Sequence, residues 1–262
     1  MPSLEIRALS KSYPLRDGAQ FKAIESIDLA MSEGEFVTIL GPSGCGKSSL
    51  LRIVAGLEQP SSGNVIFDGA PVNGPSWRRG MVFQEYALPP WKTVAQNVEL
   101  GLKFRGVPPK ERAEIAQRYV TMVGLSGFEQ RYPRELSGGM RQRCALARTL
   151  ANDPELLLMD EPFAAVDAQT REILQDELLA IWGQQRKMVL FVTHAIDEAV
   201  FLSDRVLVMS ARPGVIKENF VNPLPRPRSQ ATHSLPQFLE VREHLWGLLK
   251  GETLKAIRER AT

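Results

Sequence analysis

The sequence predicts an α/β protein with a mostly parallel sheet, an antiparallel β lobe near the N-terminus and an inserted helical subdomain mid-chain. Three observations predict it. LLLMD (156–160), MVLFVTH (188–194) and RVLVMS (205–210) are near-continuous apolar runs, as strands covered on both faces should be. Helical segments over about 170–183 and 195–202 alternate with them, and such alternation implies parallel strands flanked by helices. The apolar run FVTIL (36–40) passes directly into a glycine-rich turn and then a helix over 48–58.

The remaining elements follow from period and composition. LEIRALSKSY, SIDLAMSEGEF and VIFDG read as strands of the N-terminal lobe. In the 48–58 helix, Leu51, Val54 and Ala55 share one face. Residues 94–122 read as mostly helical, and KERAEIAQRYVTMVGL places Ala113, Ala116, Val120 and Val123 on its apolar side. GGMRQRCALARTLAND (138–153) is a helix with Met140, Cys144, Ala147 and Leu150 at helical spacing and arginines on other faces. NPLPRPRSQ (222–230) is a proline-rich break before a helical tail. That tail carries a stripe of Phe238, Val241, Leu245 and Leu248 or Leu249. The stripe reads as packing on the parent domain; a membrane-surface or partner-binding helix is the alternative. The boundaries expected are one domain over 1–221, with its helical subdomain at about 86–152, and a linker with helical tail over 222–262.

Composition excludes several classes. A formal net charge of +2 over 262 residues, with both signs interspersed, argues against a dedicated nucleic-acid binder. Cys45 and Cys144 form neither a CxxC pair nor a metal-ligand cluster, and read as reduced thiols of a cytosolic protein. MPSLEIRALSKSYP has no apolar core of the signal-peptide kind. No run approaches the ~18 apolar residues that suggest a membrane-spanning helix, so work at a membrane requires docking on a protein that spans it.

GPSGCGKSS, Gly41 to Ser49, contains G-x-x-x-x-G-K-[ST] between a strand and a helix, the context this motif needs. The residues are Gly41, Pro42, Ser43, Gly44, Cys45, Gly46, Lys47, Ser48 and Ser49. Glycines let the backbone turn left-handed and approach a ligand closely. Successive N–H groups then form an anion nest, and the helix that follows adds its positive end. Lys47 reaches β and γ phosphates and Ser48 ligates Mg²⁺. A solvated glycine turn is the plainer alternative. The loop is therefore expected to hold a nucleoside triphosphate. LLLMDEP supplies the chemistry, with Asp160 at a strand tip to hold Mg²⁺ and Glu161 beside it as general base.

LSGGMRQ, Leu136 to Gln142, combined with both phosphate motifs in this order, resembles the nucleotide-binding subunit of ATP-binding cassette (ABC) transporters. The resemblance spans about residues 4–215. It implies a P-loop NTPase (RecA-like) core in the ABC ATPase fold, with ATP and Mg²⁺ as cofactors. It also implies a head-to-tail homodimer in which Ser137, Gly138 and Gly139 of one chain face the γ-phosphate held by the other. Further positions match the family residue by residue. Tyr13, in KSYP, is similar to the aromatic that stacks on adenine. Gln84, in MVFQEY, fits the loop that senses Mg²⁺ and the γ-phosphate and links to the membrane subunit. His194 fits the switch histidine, and Asp167 the loop that crosses the dimer interface. Three departures stand out: Met140 where many members have glutamine, FAAVD for F-G-A-L-D, and Pro89 before Pro90.

GPSWRRGMVFQEYALPPWKTVAQNVELGL, EPFAAVDAQTR, THAIDEAVFLSDRVLVMSARPG and PQFLEVREHLW look like importers of the nitrate, sulfonate and taurine group. The function implied is an ATP-hydrolysing subunit that energises such an importer. Its partners would be two transmembrane permease subunits and, indirectly, a periplasmic or extracellular solute-binding protein, with no nucleic acid. Its place would be the cytoplasmic face of the plasma (inner) membrane, as a peripheral protein. The alternative is a soluble ABC-type ATPase that clamps DNA or the ribosome, and a third reading is a non-catalytic binding module. One cradle, one signature and no heptad run count against the clamp. Glu161 and His194 count against the module.

Overall fold

A computed structural model describes the backbone of residues 3–15, 18–164 and 166–260, with side chains as far as residue 256. The chain order begins with β1 (Ser3–Pro14), β2 (Gln20–Ser32), β3 (Phe36–Leu40), α1 (Lys47–Ala55), β4 (Ser62–Phe67) and β5 (Ala70–Pro71). The middle comprises β6 (Arg79–Val82), α2 (Val94–Val98), α3 (Leu100–Phe104), α4 (Pro109–Met122), α5 (Gly138–Leu150), β7 (Leu156–Asp160) and α6 (Ala168–Gln185). It closes with β8 (Met188–Thr193), α7 (Ile196–Leu202), β9 (Arg205–Met209), β10 (Ile216–Val221) and α8 (Pro236–Arg260). These elements form two compact units, Met1–Pro75 with Gln185–Thr262, and Ser76–Gln184.

The first unit contains the expected antiparallel lobe, with strands in the order β2-β1-β4-β5. Leu4, Ile6 and Leu9 of β1 are buried, with register shifts along its pairing to β2. The lobe strand β2 starts at Gln20, six residues before the expected SIDLAMSEGEF run, and ends at Ser32. Residues 33–35 turn through Gly34 at φ +75° before β3. The same unit holds β3 in parallel register with both β8 and β9, every residue of β3 and β8 being buried. β10, not anticipated from sequence because Lys217, Glu218 and Asn219 interrupt its short apolar pattern, adds antiparallel to β9.

The proline-rich break is an ordered strap. Helix α7 ends with orphan carbonyls, as all helices do. Arg228, only 7% exposed, donates to the carbonyls of Val200 (3.2 Å), Phe201 (3.0 Å), Ser203 (2.8 Å) and Leu224 (2.8 Å). Asn222 Nδ2 donates to Val200 and Ser203 as well. Burial pushes the Arg228 guanidinium down to about 10, yet leaves it charged at neutral pH. Arg228→Ala is expected to lower stability by about 2–3 kcal/mol, because buried carbonyls lose a charged donor. Urea unfolding would show this as a lower midpoint, and an unchanged midpoint would contradict the capping role.

Beyond the strap, α8 buries Phe238, Val241, Leu245 and Leu249. Of the two leucines left open by the sequence, Leu249 packs inward and Leu248 is half-buried. His233 stacks on Phe201 (4.7 Å) and meets Phe238 (4.5 Å). Arg242 pairs with Asp197 of α7 (2.8 Å) and His244 with Glu218 of β10 (2.8 Å). The tail therefore packs on its own unit, as the stripe suggests.

The second unit pairs β6 with β7 in parallel and packs α5 against β6. The expected 94–122 helical run is three helices, interrupted at Glu99 and again at residues 105–108, where Val107–Pro108 precede a helix that starts at Pro109. In α4 the buried positions are Ala116, Tyr119 and Val120, followed by Val123, while Ala113 is exposed. The apolar face is rotated toward Tyr119, whose ring outweighs an alanine methyl in buried area. In α5, Cys144, Ala147 and Leu150 are buried as expected, with Met140 half-buried.

Candidate nucleotide site

The cradle grows out of β3. Leu40, the last β3 residue, is in register with Thr193 of β8 and with Val208 of β9. Gly41 and His194 are the next residues on their strands, so the cradle and the histidine leave the same sheet edge. In open α/β sheets ligands bind outside the carboxyl ends of strands, where these residues lie.

Within the cradle Gly44 has φ +84° and Gly46 φ +102°. A Cβ on Gly46 would stand 2.7 Å from Ile24 Cγ1 and 3.0 Å from the Ala23 carbonyl, so both conformation and space require glycine. Helix α1 starts at Lys47 with no side-chain cap from Gly46, and a helix start of this kind favours an anion. Lys47 is 4% exposed, and its Nζ donates to the carbonyls of Gly41 (2.9 Å) and Pro42 (3.0 Å). The ammonium is thus drawn back over the loop. Gly41, Pro42 and Cys45 are buried, Ser43 and Gly44 exposed, and Ser48 and Ser49 half-buried. Tyr13 lies beside this helix, its Oη 2.8 Å from Ser49 Oγ, with Lys11 Nζ 4.9 Å from its ring centroid. Burial raises the Tyr13 phenol, keeping it neutral.

His194 is exposed on a turn fixed by its neighbours. Thr193 Oγ1 donates to Glu198 Oε2 (2.6 Å) and accepts from the Ala195 N–H (3.0 Å). A cavity of about 450 Å³ opens there, lined by His194, Asp197, Arg242 and Trp246 among others.

The second unit presents its own set. Val82 of β6 is in register with Met159 of β7. Asp160 ends β7, 3% exposed, and Gln84 follows two residues after Val82, exposed. Glu161 is half-buried with φ +44°. A non-glycine residue in that region costs about 1–2 kcal/mol, and such strain gathers at functional sites.

The 84–92 segment is held from behind. Arg148 of α5 donates to the carbonyls of Ala87 (2.5 Å) and Tyr86 (3.1 Å), both residues having positive φ. Burial holds the Arg148 guanidinium below its usual range. Asn97 Nδ2 donates to Lys92 (2.9 Å), Thr93 (3.0 Å) and Pro89 (3.4 Å) carbonyls. Sequence reasoning placed Arg148 only among the arginines of a helix face and did not single out Asn97. Neither lies in a local motif, and only the fold brings each to this backbone.

Ser137 caps α5, accepting from the Met140 N–H (3.3 Å). Gly138 and Gly139 form the first turn of that helix. A Cβ on Gly139 would meet Thr170 Cγ2 at 2.7 Å. The Thr170 N–H in turn donates to Asp167 Oδ1 (3.0 Å), and this bond draws the exposed Asp167 carboxyl below its usual range. The signature glycines and the Asp167 loop are therefore brought together. Ala165, in FAAVD, lies outside the described residues.

Strand, left-handed cradle and uncapped helix define a P-loop nucleotide-binding protein of mixed parallel and antiparallel architecture. The family model described as ABC transporter matches residues 24–164. An uncharacterised ABC transporter ATP-binding protein of Methanocaldococcus jannaschii is 54% identical, over 97% of this chain and 94% of its own length. The nitrate import ATP-binding protein NrtD of Synechocystis is 46% identical over 95% of each chain. The aliphatic sulfonates import ATP-binding protein SsuB of Bacillus cereus is 45% identical over 92% of this chain and 93% of its own. A dimeric post-hydrolysis structure of an ATP-binding cassette with ADP and phosphate superimposes with a TM-score of 0.76 at 32% identity, over 85% of this chain and all of that one. The chain belongs to the ABC transporter family.

Proposed function

We propose that this chain is the ATP-binding and ATP-hydrolysing subunit of an importer for nitrate, an aliphatic sulfonate, taurine or a related small solute. The observation that carries the reading is the cradle: two left-handed glycines, an uncapped helix start and a lysine tethered across the loop fit a triphosphate. The importer assignment is supported by relatives named for nitrate and sulfonate import, and those names count against the DNA or ribosome clamp. No helix among the described residues is long and apolar enough to cross a membrane, so a membrane-spanning partner is needed.

The nucleotide-binding domain is taken as 1–221 with helices inserted at about 86–152, and 222–262 as linker and tail. Gly41 to Ser49 bind the phosphates, with Tyr13 on the adenine. Ser48, Asp160 and Gln84 offer a hydroxyl, a carboxylate and an amide oxygen, a hard donor set that suits Mg²⁺. When bound, Mg²⁺ offsets charge on the β and γ phosphate oxygens. Glu161 takes the proton of the attacking water, and His194 positions the γ-phosphate. Ser137, Gly138, Gly139 and Asp167 serve a second copy's nucleotide across a head-to-tail homodimer. Trp91, 74% exposed, and residues 85–92 form the seat for a permease helix. The complex works at the cytoplasmic face of the inner membrane, fed by a solute-binding protein outside it.

The deciding experiment reconstitutes the chain with its co-purifying permease in vesicles and measures ATP turnover. Nitrate, an alkanesulfonate and taurine would each be supplied with the cognate solute-binding protein. One of them should stimulate hydrolysis. Co-purification with ribosomes or DNA instead of a permease would overturn the importer reading.

A further inference from the structure

The turn after β9 backs the cradle and is itself held by the C-terminal helix. Gly214 sits so close to the cradle that a Cβ there would fall 2.1 Å from the Cys45 carbonyl. Its N–H donates to Ala23 (2.9 Å) and its carbonyl accepts from Glu25 (3.0 Å), locking the turn to β2. Arg212, on this turn, donates from Nε to the Gly44 carbonyl (2.8 Å) with its guanidinium 5.0 Å from the Phe21 ring centroid. The neighbouring Ala211 N–H donates to Glu252 Oε2 of α8 (2.8 Å). Lys217 Nζ, 3.9 Å from Glu252 Oε1, is the charge facing that carboxylate. A cavity of about 300 Å³ runs along this line, bordered by Phe21, Ser43, Arg212 and Ala256.

We propose that Arg212 is a positioning residue of the phosphate cradle, set in place by α8 through Glu252, so that the C-terminal helix tunes ATP affinity. The inference rests on the reading of the cradle as the ATP site. Gly44 is left-handed, and glycine, with no Cβ, has the widest choice of backbone conformations to leave that one. A cation anchoring the Gly44 carbonyl from outside restrains that motion and keeps the nest pre-organised, which lowers the cost of binding. Arg212 acts on the cradle backbone from outside and is assigned no part in proton transfer. Its loss therefore weakens ground state and transition state alike and raises KM while sparing kcat.

The test uses the full chain, with equilibrium ATP binding measured by displacement of a fluorescent nucleotide alongside steady-state kinetics. Arg212→Ala should raise Kd and KM by about three- to tenfold, the exposed site discounting a charged bond, with kcat within about twofold of the parent. Arg212→Lys keeps a cationic donor and should recover most of the affinity. Glu252→Ala should shift Kd in the same direction, Glu252→Gln should stay near the parent, and the Arg212→Ala/Glu252→Ala pair should be no weaker than Arg212→Ala alone. If Arg212→Ala does not fold, the Glu252→Ala shift decides. A parent chain that binds ATP while these variants bind it equally well, or additive effects in the pair, would overturn the inference alone. A parent chain that binds no ATP overturns the site itself and this inference with it.

Discussion

Glu161→Gln will bind ATP as tightly as the parent chain and hydrolyse it about 10²–10⁴ times more slowly, the usual worth of a positioned general base. The amide matches the carboxylate in shape, so the backbone at φ +44° and the end of β7 are kept. What the substitution removes is the basic oxygen proposed to accept the water proton. In the proposed cycle ATP would favour the closed dimer and hydrolysis would reopen it, so blocking turnover should trap the population in that state. Gel filtration with ATP·Mg²⁺ should then show a dimer peak that the parent loses as it hydrolyses. Turnover at the parent rate would remove Glu161 from its assigned role.

Lys47→Ala acts earlier, on binding. Its Nζ donates two hydrogen bonds, to the Gly41 and Pro42 carbonyls. The variant therefore loses the loop's internal tie as well as the proposed phosphate contact. Charge-assisted bonds are worth about 1.5–3 kcal/mol each, so ATP affinity should fall by at least tenfold. The same assay that leaves Glu161→Gln unchanged should report this loss, and undiminished affinity would contradict it. The two variants separate binding from chemistry, since one leaves Kd intact and the other does not.

The legible parts of this chain were local. The cradle is nine consecutive residues whose glycines, lysine and serines act through their own backbone and the helix that follows. LSGGMRQ is likewise a cap and a first helical turn. The apolar runs FVTIL, LLLMD and MVLFVT announced strands buried along their whole length, and they are. What failed was where a local pattern was thin. Ala113 fitted a helical period but is exposed, while the bulkier Tyr119 took the buried face. β10 carries Lys217, Glu218 and Asn219, and it is a strand because β9 offers it an edge.

The amino-acid order alone determined the fold class and the family, because continuous apolar runs, the cradle motif and the signature are short-range features of the sequence. Only the tertiary structure decided that the proline-rich segment caps α7 through Arg228, that Arg148 holds the 84–92 backbone, and that Arg212 reaches a carbonyl 168 positions away. Such contacts depend on how distant elements pack. A long flexible side chain has no preferred partner until packing supplies one and offsets the entropy of fixing it.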